Sequence, residues 1–330
     1  MTAHLPAWRQ SGRFAIEAVV EPAAERARIA ASLLPGVRVY PRLEELLAQH
    51  RVDFVDICTP PRFHADLALG ALEAGLHVFC EKPLSACLDE VRAIRQAAGQ
   101  ARKVVFTVNN WKHAPLWVKA RELVRNGAIG AVRSVALNVD RRPNSGGGAS
   151  DWRQCAEIAQ GGILIDHGWH NLYLILALVR ERPVSVSAAF ERPHGAAGVE
   201  EAADLTIRFE KAQARLRLTW QASCRRNSGA VIGAAGTLAV NDDHLLLSAR
   251  GSGPRRYDFP EALSAGSHHP EWMASVVADF GREIEDPGCR GTNLAEAQWC
   301  ARLIDLAYRC GCGHSGPMAV DCPGTEEFHR

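Results

Sequence analysis

A doubly wound parallel α/β sheet of the Rossmann type with its first strand missing, joined to a C-terminal α+β domain with a largely antiparallel open sheet, is the fold this sequence predicts. Three observations predict it. Strand-like and helix-like segments alternate from residue 14 to about residue 126, the pattern of a parallel sheet covered on both faces. Beyond residue 131 the alternation gives way to successive strand candidates in which every second residue is apolar. Between these regions an apolar run stops at Glu81, Lys82 and Pro83, at a strand's carboxyl end, where open α/β sheets bind their ligands.

Taken in order, residues 2–10 (TAHLPAWRQ) read as a helix, and the strand candidates are 14–20 (FAIEAVV), 37–40, 53–58 (DFVDIC), 77–80 and 104–108. Helices are expected over 23–32, 43–49, 63–74 and 85–100, with Pro41 before a helix start and Gly75 just past a helix end. Glu21 closes the first of these strands. In dinucleotide-binding domains an acidic residue there accepts hydrogen bonds from the adenosine ribose, about 20 residues beyond a glycine-rich turn. Counting back from Glu21 lands at Met1, so that turn and the strand before it are absent from the sequence. Either the translation start is assigned too late or the phosphate cradle is lost; the first is favoured, because losing a central strand exposes the edges of two buried neighbours. The plain alternative for Glu21 is a surface carboxylate at a strand end. As a ribose ligand it repels a 2′-phosphate and so favours NAD over NADP.

After the strand DFVDIC, Thr59, Pro60 and Pro61 make a rigid loop suited to walling a flat ring, and His64 opens a helix. His64 either lines the cofactor cleft or is a structural histidine. Lys82 is either a solvated cation paired with Glu81 or a group delivered to the mouth of the sheet.

The second region offers strands at 132–139, 185–190, 203–209 and 214–220, with shorter ones between 230 and 249. Leu205, Ile207 and Phe209, then Leu216, Leu218 and Trp220, alternate as in a sheet with one covered face. Residues 144–150 (NSGGGAS) form either a loop over substrate or a bare linker, and 294–308 read as a closing amphipathic helix. Asp166 and His170 lie four apart in an apolar helix, so their side chains share a face. A carboxylate placed there orients an imidazole and stabilises its protonated form, as a general base requires; an ordinary helical ion pair is the alternative.

Composition narrows the function. The 330 residues, 47% hydrophobic and 23% charged, suit two globular domains, expected at 1–126 and 127–316 with a tail at 317–330. With 38 Lys and Arg against 37 Asp and Glu, the net charge of +1 gives no field for nucleic acid or an anionic membrane, which leaves a small-molecule substrate. No apolar run approaches the roughly 18 residues of a membrane span, and the start lacks a signal-peptide pattern, so a cytoplasmic protein is expected. The ten cysteines read mostly as buried thiols. Cys310, Cys312, His314 and Cys322 match no common zinc spacing, and no metal is expected.

With TPPRFH at 59–64, Glu81-Lys82-Pro83, Asn110, Lys112 and Pro115 in NNWKHAPLWVKARELV, GAIG at 127–130 and GGILIDHGWH at 161–170, the chain resembles the Gfo/Idh/MocA family of NAD(P)-dependent oxidoreductases. The resemblance implies hydride transfer between nicotinamide and a sugar, polyol or related hydroxyl or carbonyl substrate. It implies Lys82, Asp166 and His170 as the catalytic group, with Lys82 preceding an often-cis proline. Glu21, Thr59, Pro60, His64, Glu81 and Lys82 would face the cofactor, and Asn110, Lys112, Trp152, Arg153 and Tyr173 the substrate. Tyr173 departs from the acidic residue frequent at its position, so no family specificity transfers. Also implied is a homo-oligomer, dimer or tetramer, through the second sheet. Two alternatives stay open: a non-catalytic binder or scaffold that has lost its cofactor, and different redox chemistry within the same fold.

Overall fold

The computed structural model describes residues 3–143, 153, 155–195, 198–266, 269–311 and 316–321. In its first part, α1 (His4–Ser11), β1 (Ala18–Val20), α2 (Ala24–Leu33), β2 (Arg38–Tyr40), α3 (Leu43–Leu47), β3 (Phe54–Ile57), α4 (His64–Glu73), β4 (His77–Cys80), α5 (Leu88–Ala101), β5 (Val105–Thr107) and α6 (Pro115–Arg125) follow the alternation read from the sequence. All pairing here is parallel, but it falls into two groups, β1–β2 and β3–β4–β5. Among the described residues no strand joins β1 to β3. Burial follows from that break. The three residues of β5 are buried and β4 is buried from Val78 onward, while β1 and most of β3 are only half-covered, as edges are.

The second part carries a nine-stranded sheet in the order β13-β12-β11-β10-β6-β9-β8-β7-β14. Its strands are β6 (Val132–Asp140), β7 (Pro183–Glu191), β8 (Ala202–Phe209), β9 (Gln213–Thr219), β10 (Arg226–Gly233), β11 (Gly236–Asn241), β12 (His244–Ala249), β13 (Arg255–Asp258) and β14 (Met318–Ala319). Every pair is antiparallel except β6–β9. Among the described residues four helices accompany it: α7 (Ala156–Ala159), α8 (Trp169–Val179), α9 (Pro270–Glu285) and α10 (Thr292–Gly311).

The two parts are not independent in packing. Helix α9 lies against α1, and α10 against α5 and β5. Trp8 of α1 meets Phe14, Phe54, Phe79 and Phe280 with ring centroids 4.9–6.1 Å apart, so a helix from the far end of the chain seals the β3–β4–β5 group.

Several expectations change. The first strand shortens to Ala18–Val20, and the helix expected from residue 85 starts at Leu88, because the Ser85 hydroxyl accepts the Cys87 amide. Helix α9 and strand β13 carried no sequence prediction. Met318 and Ala319 pair with Val186 and Ser185, so the expected tail contains a strand. By length and composition 156–179 could cross a membrane, contrary to the expectation, but 83% of its most apolar window is buried inside the protein, as in a core helix. The loop at 144–150, Trp152, Cys312, His314 and Cys322 lie outside the described residues.

Gly161 and Gly162 have a packing reason. The Glu200 side chain is buried, and its Oε1 accepts the amides of Gly162 (2.9 Å) and Leu164 (3.1 Å) and the hydroxyl of Tyr308 (2.8 Å). A Cβ on Gly162 would overlap the Glu200 carbonyl oxygen, which in turn accepts the Ile163 amide. Gly162→Ala should therefore lower stability by about 2–3 kcal/mol. Gly99→Ala, in open space on α5, should raise it by about 0.4–1 kcal/mol. Thermal melts of the two variants check both signs; an unchanged Gly162→Ala would refute the close approach.

Candidate active site

The candidate side chains converge from the carboxyl ends of β3 and β4 and from the start of α8. Lys82 follows β4, and the Lys82–Pro83 peptide is cis. Its ammonium donates to the carbonyl oxygen of Asp166 at 2.7 Å and to Asp166 Oδ1 at 2.9 Å, linking positions 84 residues apart. Pro61, Arg153, Ile165 and Trp220 line the small cleft beside this pair.

The expected pairing of Asp166 with His170 is not what forms. Leu164–Gly168 winds as a π-turn, with the Trp169 amide bonded to the Leu164 carbonyl, and the wider turn breaks the shared face of positions four apart. The Asp166 carboxylate goes to Lys82, with His167 Nε2 3.5 Å away. His170 Nδ1 instead lies 2.8 Å from the Tyr173 hydroxyl, its ring stacked on Trp111 with centroids 5.1 Å apart. Tyr173 also accepts the Trp111 amide at 3.1 Å. It is fully buried behind His170 rather than facing the cleft, as the substrate assignment had it.

Electrostatics follow this geometry. Burial pushes the Asp166 carboxyl up, but the neighbouring Lys82 charge and hydrogen bond outweigh it and keep Asp166 ionised far below the usual range. For His170 burial and the Lys82 charge act in the same direction and hold the ring well below its ordinary pKa; Asp166 opposes them and loses. His170 is thus kept neutral, not charged by a carboxylate.

The remaining predicted residues divide. His64 is fully buried, with Nδ1 2.7 Å from the Pro83 carbonyl and Nε2 2.7 Å from the Thr59 carbonyl. It ties the β3 and β4 loops together and does not line a cleft; burial lowers its pKa. Thr59 is exposed and Pro60 half-buried on the loop that His64 holds. Glu81 accepts the Lys82 amide at 3.0 Å through one oxygen and His4 Nε2 at 2.7 Å through the other. Glu21 directly follows β1, its carboxylate accepting the Ala23 amide at 2.9 Å. Lys112 is not brought to the Lys82 cleft: it pairs with Glu296 at 2.9 Å, in a separate cavity of about 270 Å3 that Asn109, Asp279 and Arg282 also line. Asn110 precedes it in the same short turn, with a buried side-chain oxygen lacking a partner. Arg153 reaches the Lys82 cleft; Trp152 lies outside the described residues.

Sequence reasoning missed His4, Asp56, His167, Trp220 and Arg141. His4 Nδ1 lies 3.0 Å from Asp56 Oδ2, and Trp8 Nε1 donates to the same oxygen at 2.7 Å. Burial pushes the His4 ring down, but Asp56 outweighs it and raises the pKa well above the ordinary value, so a charged imidazole bridges Asp56 and Glu81. His4 and Trp8 sit on one helical face, which was the available signal; nothing local connects them to Asp56. His167, inside the motif GGILIDHGWH, was passed over for His170.

Whether the residues present suit a dinucleotide is tested by three places. Helix α1 begins with no capping side chain and no acidic residue in its first turn, leaving amides for a phosphate. Glu21 directly follows β1, where a ribose would lie, and Lys82 stands just past β4, where the reacting ring would lie. The described residues fit the group at these places; a glycine-rich cradle is not among them.

Comparison with known proteins identifies the two regions of the chain. Residues 1–109 match the family model described as the oxidoreductase family, NAD-binding Rossmann fold, and residues 117–239 match the GFO/IDH/MocA C-terminal domain. Inositol 2-dehydrogenase of Corynebacterium glutamicum (strain R) is 26% identical over 323 residues, covering 95% of this chain and 90% of that protein. An uncharacterized protein of Saccharomyces cerevisiae is 31% identical over 182 residues, 54% of this chain; the chain spans half of that relative's length. The solved structure of a levoglucosan dehydrogenase with NADH and levoglucosan superposes with a TM-score of 0.84 at 23% identity, covering 96% of this chain and 95% of that one, a likeness of fold.

Burial of neutral histidines gives a pH prediction. It lowers His113 to about 4 and His167 to about 3. Unfolded, both rings take up protons near pH 6.5, so below that pH the unfolded chain binds more protons and stability falls as pH drops. Each ring should cost about 2 kcal/mol at pH 5 relative to neutral pH. Urea unfolding of the His167→Asn variant should show a smaller loss between pH 7 and pH 5 than the parent chain; an equal loss would refute the buried neutral ring.

Proposed function

The chain belongs to the Gfo/Idh/MocA oxidoreductase family and is an NAD-dependent dehydrogenase or reductase, and from that premise we propose that it oxidises a carbinol of a sugar, polyol or related hydroxy compound, and reduces the corresponding carbonyl, with Lys82, Asp166 and His170 as its catalytic group. The observation that carries this reading is the Lys82–Asp166 ion pair formed next to a buried, neutral His170. The bound nicotinamide supplies the hydride acceptor or donor.

His170 handles the proton at its Nε2. When Nδ1–H is donated to the Tyr173 oxygen, Nε2 carries the lone pair and takes the substrate hydroxyl proton; in the other tautomer Nε2–H donates to a carbonyl oxygen. Tyr173 and Trp111 hold the ring in place, so Tyr173 is a positioning residue. The Lys82 ammonium, with two of its three protons on Asp166, keeps one for the reacting oxygen and stabilises alkoxide character there. Asp166 fixes that direction. Glu21 takes the ribose, and Thr59, Pro60 and Glu81 shape the nicotinamide end. An oligomer through the outer face of the nine-stranded sheet is part of the same reading, supported by the exposed apolar side chains Val184 on β7, Ile232 on β10 and Leu246 on β12.

His170→Ala and Lys82→Ala should each lower kcat by about 10²-fold or more, with NAD affinity little changed. Undiminished turnover in either variant would remove that residue from the chemistry. Because the His170 pKa is depressed, the base stays unprotonated as pH falls past 6.5, so the acid limb of kcat/KM should lie below pH 6.5; a limb above it would contradict the assignment. Size-exclusion chromatography with light scattering should report a dimer or tetramer rather than a monomer.

A further inference from the structure

Among the described residues, the two basic side chains Arg141 and Arg225 near the cleft have no carboxylate hydrogen-bonded to them. Lys82 has its counter-ion in Asp166. Arg141, which follows β6, is almost fully buried, yet each of its partners is uncharged: Nη1 donates to the carbonyls of Asp140 (2.8 Å) and Arg226 (3.2 Å), and Nη2 to the Asn227 amide oxygen (3.0 Å). Its Nε is buried and has no partner among the described residues. Arg225, exposed, donates to the Gly266 carbonyl at 2.6 Å. Asp166, Asp242 and Asp140 act on Arg141 through space, but none of their carboxylates is hydrogen-bonded to it: Asp166 is bonded to Lys82, and Asp242 to Asn227 and Ser264. A buried cation without a carboxylate is costly unless an anion arrives to match it.

Arg141 also stands beside the cleft. Its amide bonds the Thr219 carbonyl and its carbonyl accepts the Ala222 amide, so its backbone brackets Trp220, which lines the cleft with Lys82 and Asp166. Its charge acts on both His167 and His170, and that of Arg225 on His167. A single free Nε suits one oxygen of a carboxylate better than the three of a phosphate.

We propose that the substrate is a polyhydroxy carboxylate, whose hydroxyl carbon faces Lys82 and His170 while its carboxylate is met by Arg141 and Arg225. The inference rests on the dehydrogenase reading for the role of the hydroxyl end and names the substrate class that this site selects. A neutral sugar would leave the Arg141 guanidinium unmatched.

The test compares acid and neutral partners of the same skeleton in the presence of NAD: D-gluconate against D-glucitol, D-glucuronate against D-glucose, and acetate against acetamide as a skeleton-free pair, by calorimetric titration. Each acid should bind at least about tenfold more tightly than its neutral partner, and the difference should shrink with added salt. Arg225→Gln should reduce the preference, Arg141→Gln should abolish it, and Arg255→Gln, on β13 and exposed, should leave it intact. Arg141→Gln alters a buried side chain and risks the fold, so the exposed Arg225→Gln carries the test independently. Equal binding within all three pairs, or an unchanged preference in Arg225→Gln, overturns the proposal. Turnover of D-glucitol without any gain for D-gluconate removes this inference and leaves the dehydrogenase reading standing. Acid-selective binding without NADH formation on any of the hydroxy probes keeps the carboxylate site and counts against the redox reading.

Discussion

The ion pair between Lys82 and Asp166 fixes how the turn after β4 meets the start of α8. Lys82 lies in the turn just past β4 of the parallel group, and Asp166 lies in the turn leading into α8. With both groups largely withdrawn from water, neither can be left alone without several kcal/mol of desolvation cost. The pair therefore sets the distance between the β4 turn and the start of α8, and what stands around it inherits that geometry. His170 is close enough to feel the Lys82 charge and is held neutral by it and by burial.

The same rule governs the layer beneath. Asp56, His4 and Glu81 form a carboxylate–imidazolium–carboxylate bridge, and Glu81 passes the connection to the Lys82 amide. His64 adds a second tie, from the Thr59 carbonyl to the Pro83 carbonyl. The Lys82 turn is thus gripped from α1 on one side and from the β3 loop on the other. A turn so held presents its ammonium without paying side-chain ordering again when a ligand arrives.

Helix α8 is positioned by an independent device. Glu200 collects the amides at the glycine pair and the Tyr308 hydroxyl, pinning the helix start to the nine-stranded sheet. The π-turn after it rotates Asp166 away from His170, so one side chain meets Lys82 while the other stacks on Trp111. Neighbouring residues of one short motif can in this way take up two separate tasks.

The sequence by itself determined the elements and much of the cast. Period-two and helical patterns located β1 to β5 and β6 to β9 to within a few residues and left β10 to β12 as shorter strands between 230 and 249, because those patterns are what a buried face demands; β13 and β14 were not foreseen. Glu81-Lys82-Pro83 and the Asp166–His170 motif were legible because they break apolar runs with charge. Tertiary structure alone decided the partners. The four-residue spacing of Asp166 and His170 implied a shared face, and a π-turn, which leaves no periodic trace, removed it. Lys112 matched a motif, yet Glu296, 184 residues away, draws it into another cavity. Asp56 and Arg141 carry no local signal, and the patterns holding His4 and Trp220 do not show their partners, since their importance lies in which charge or ring stands opposite across the fold. Periodicity records burial along a chain, whereas charge pairing depends on distances that only the folded packing sets.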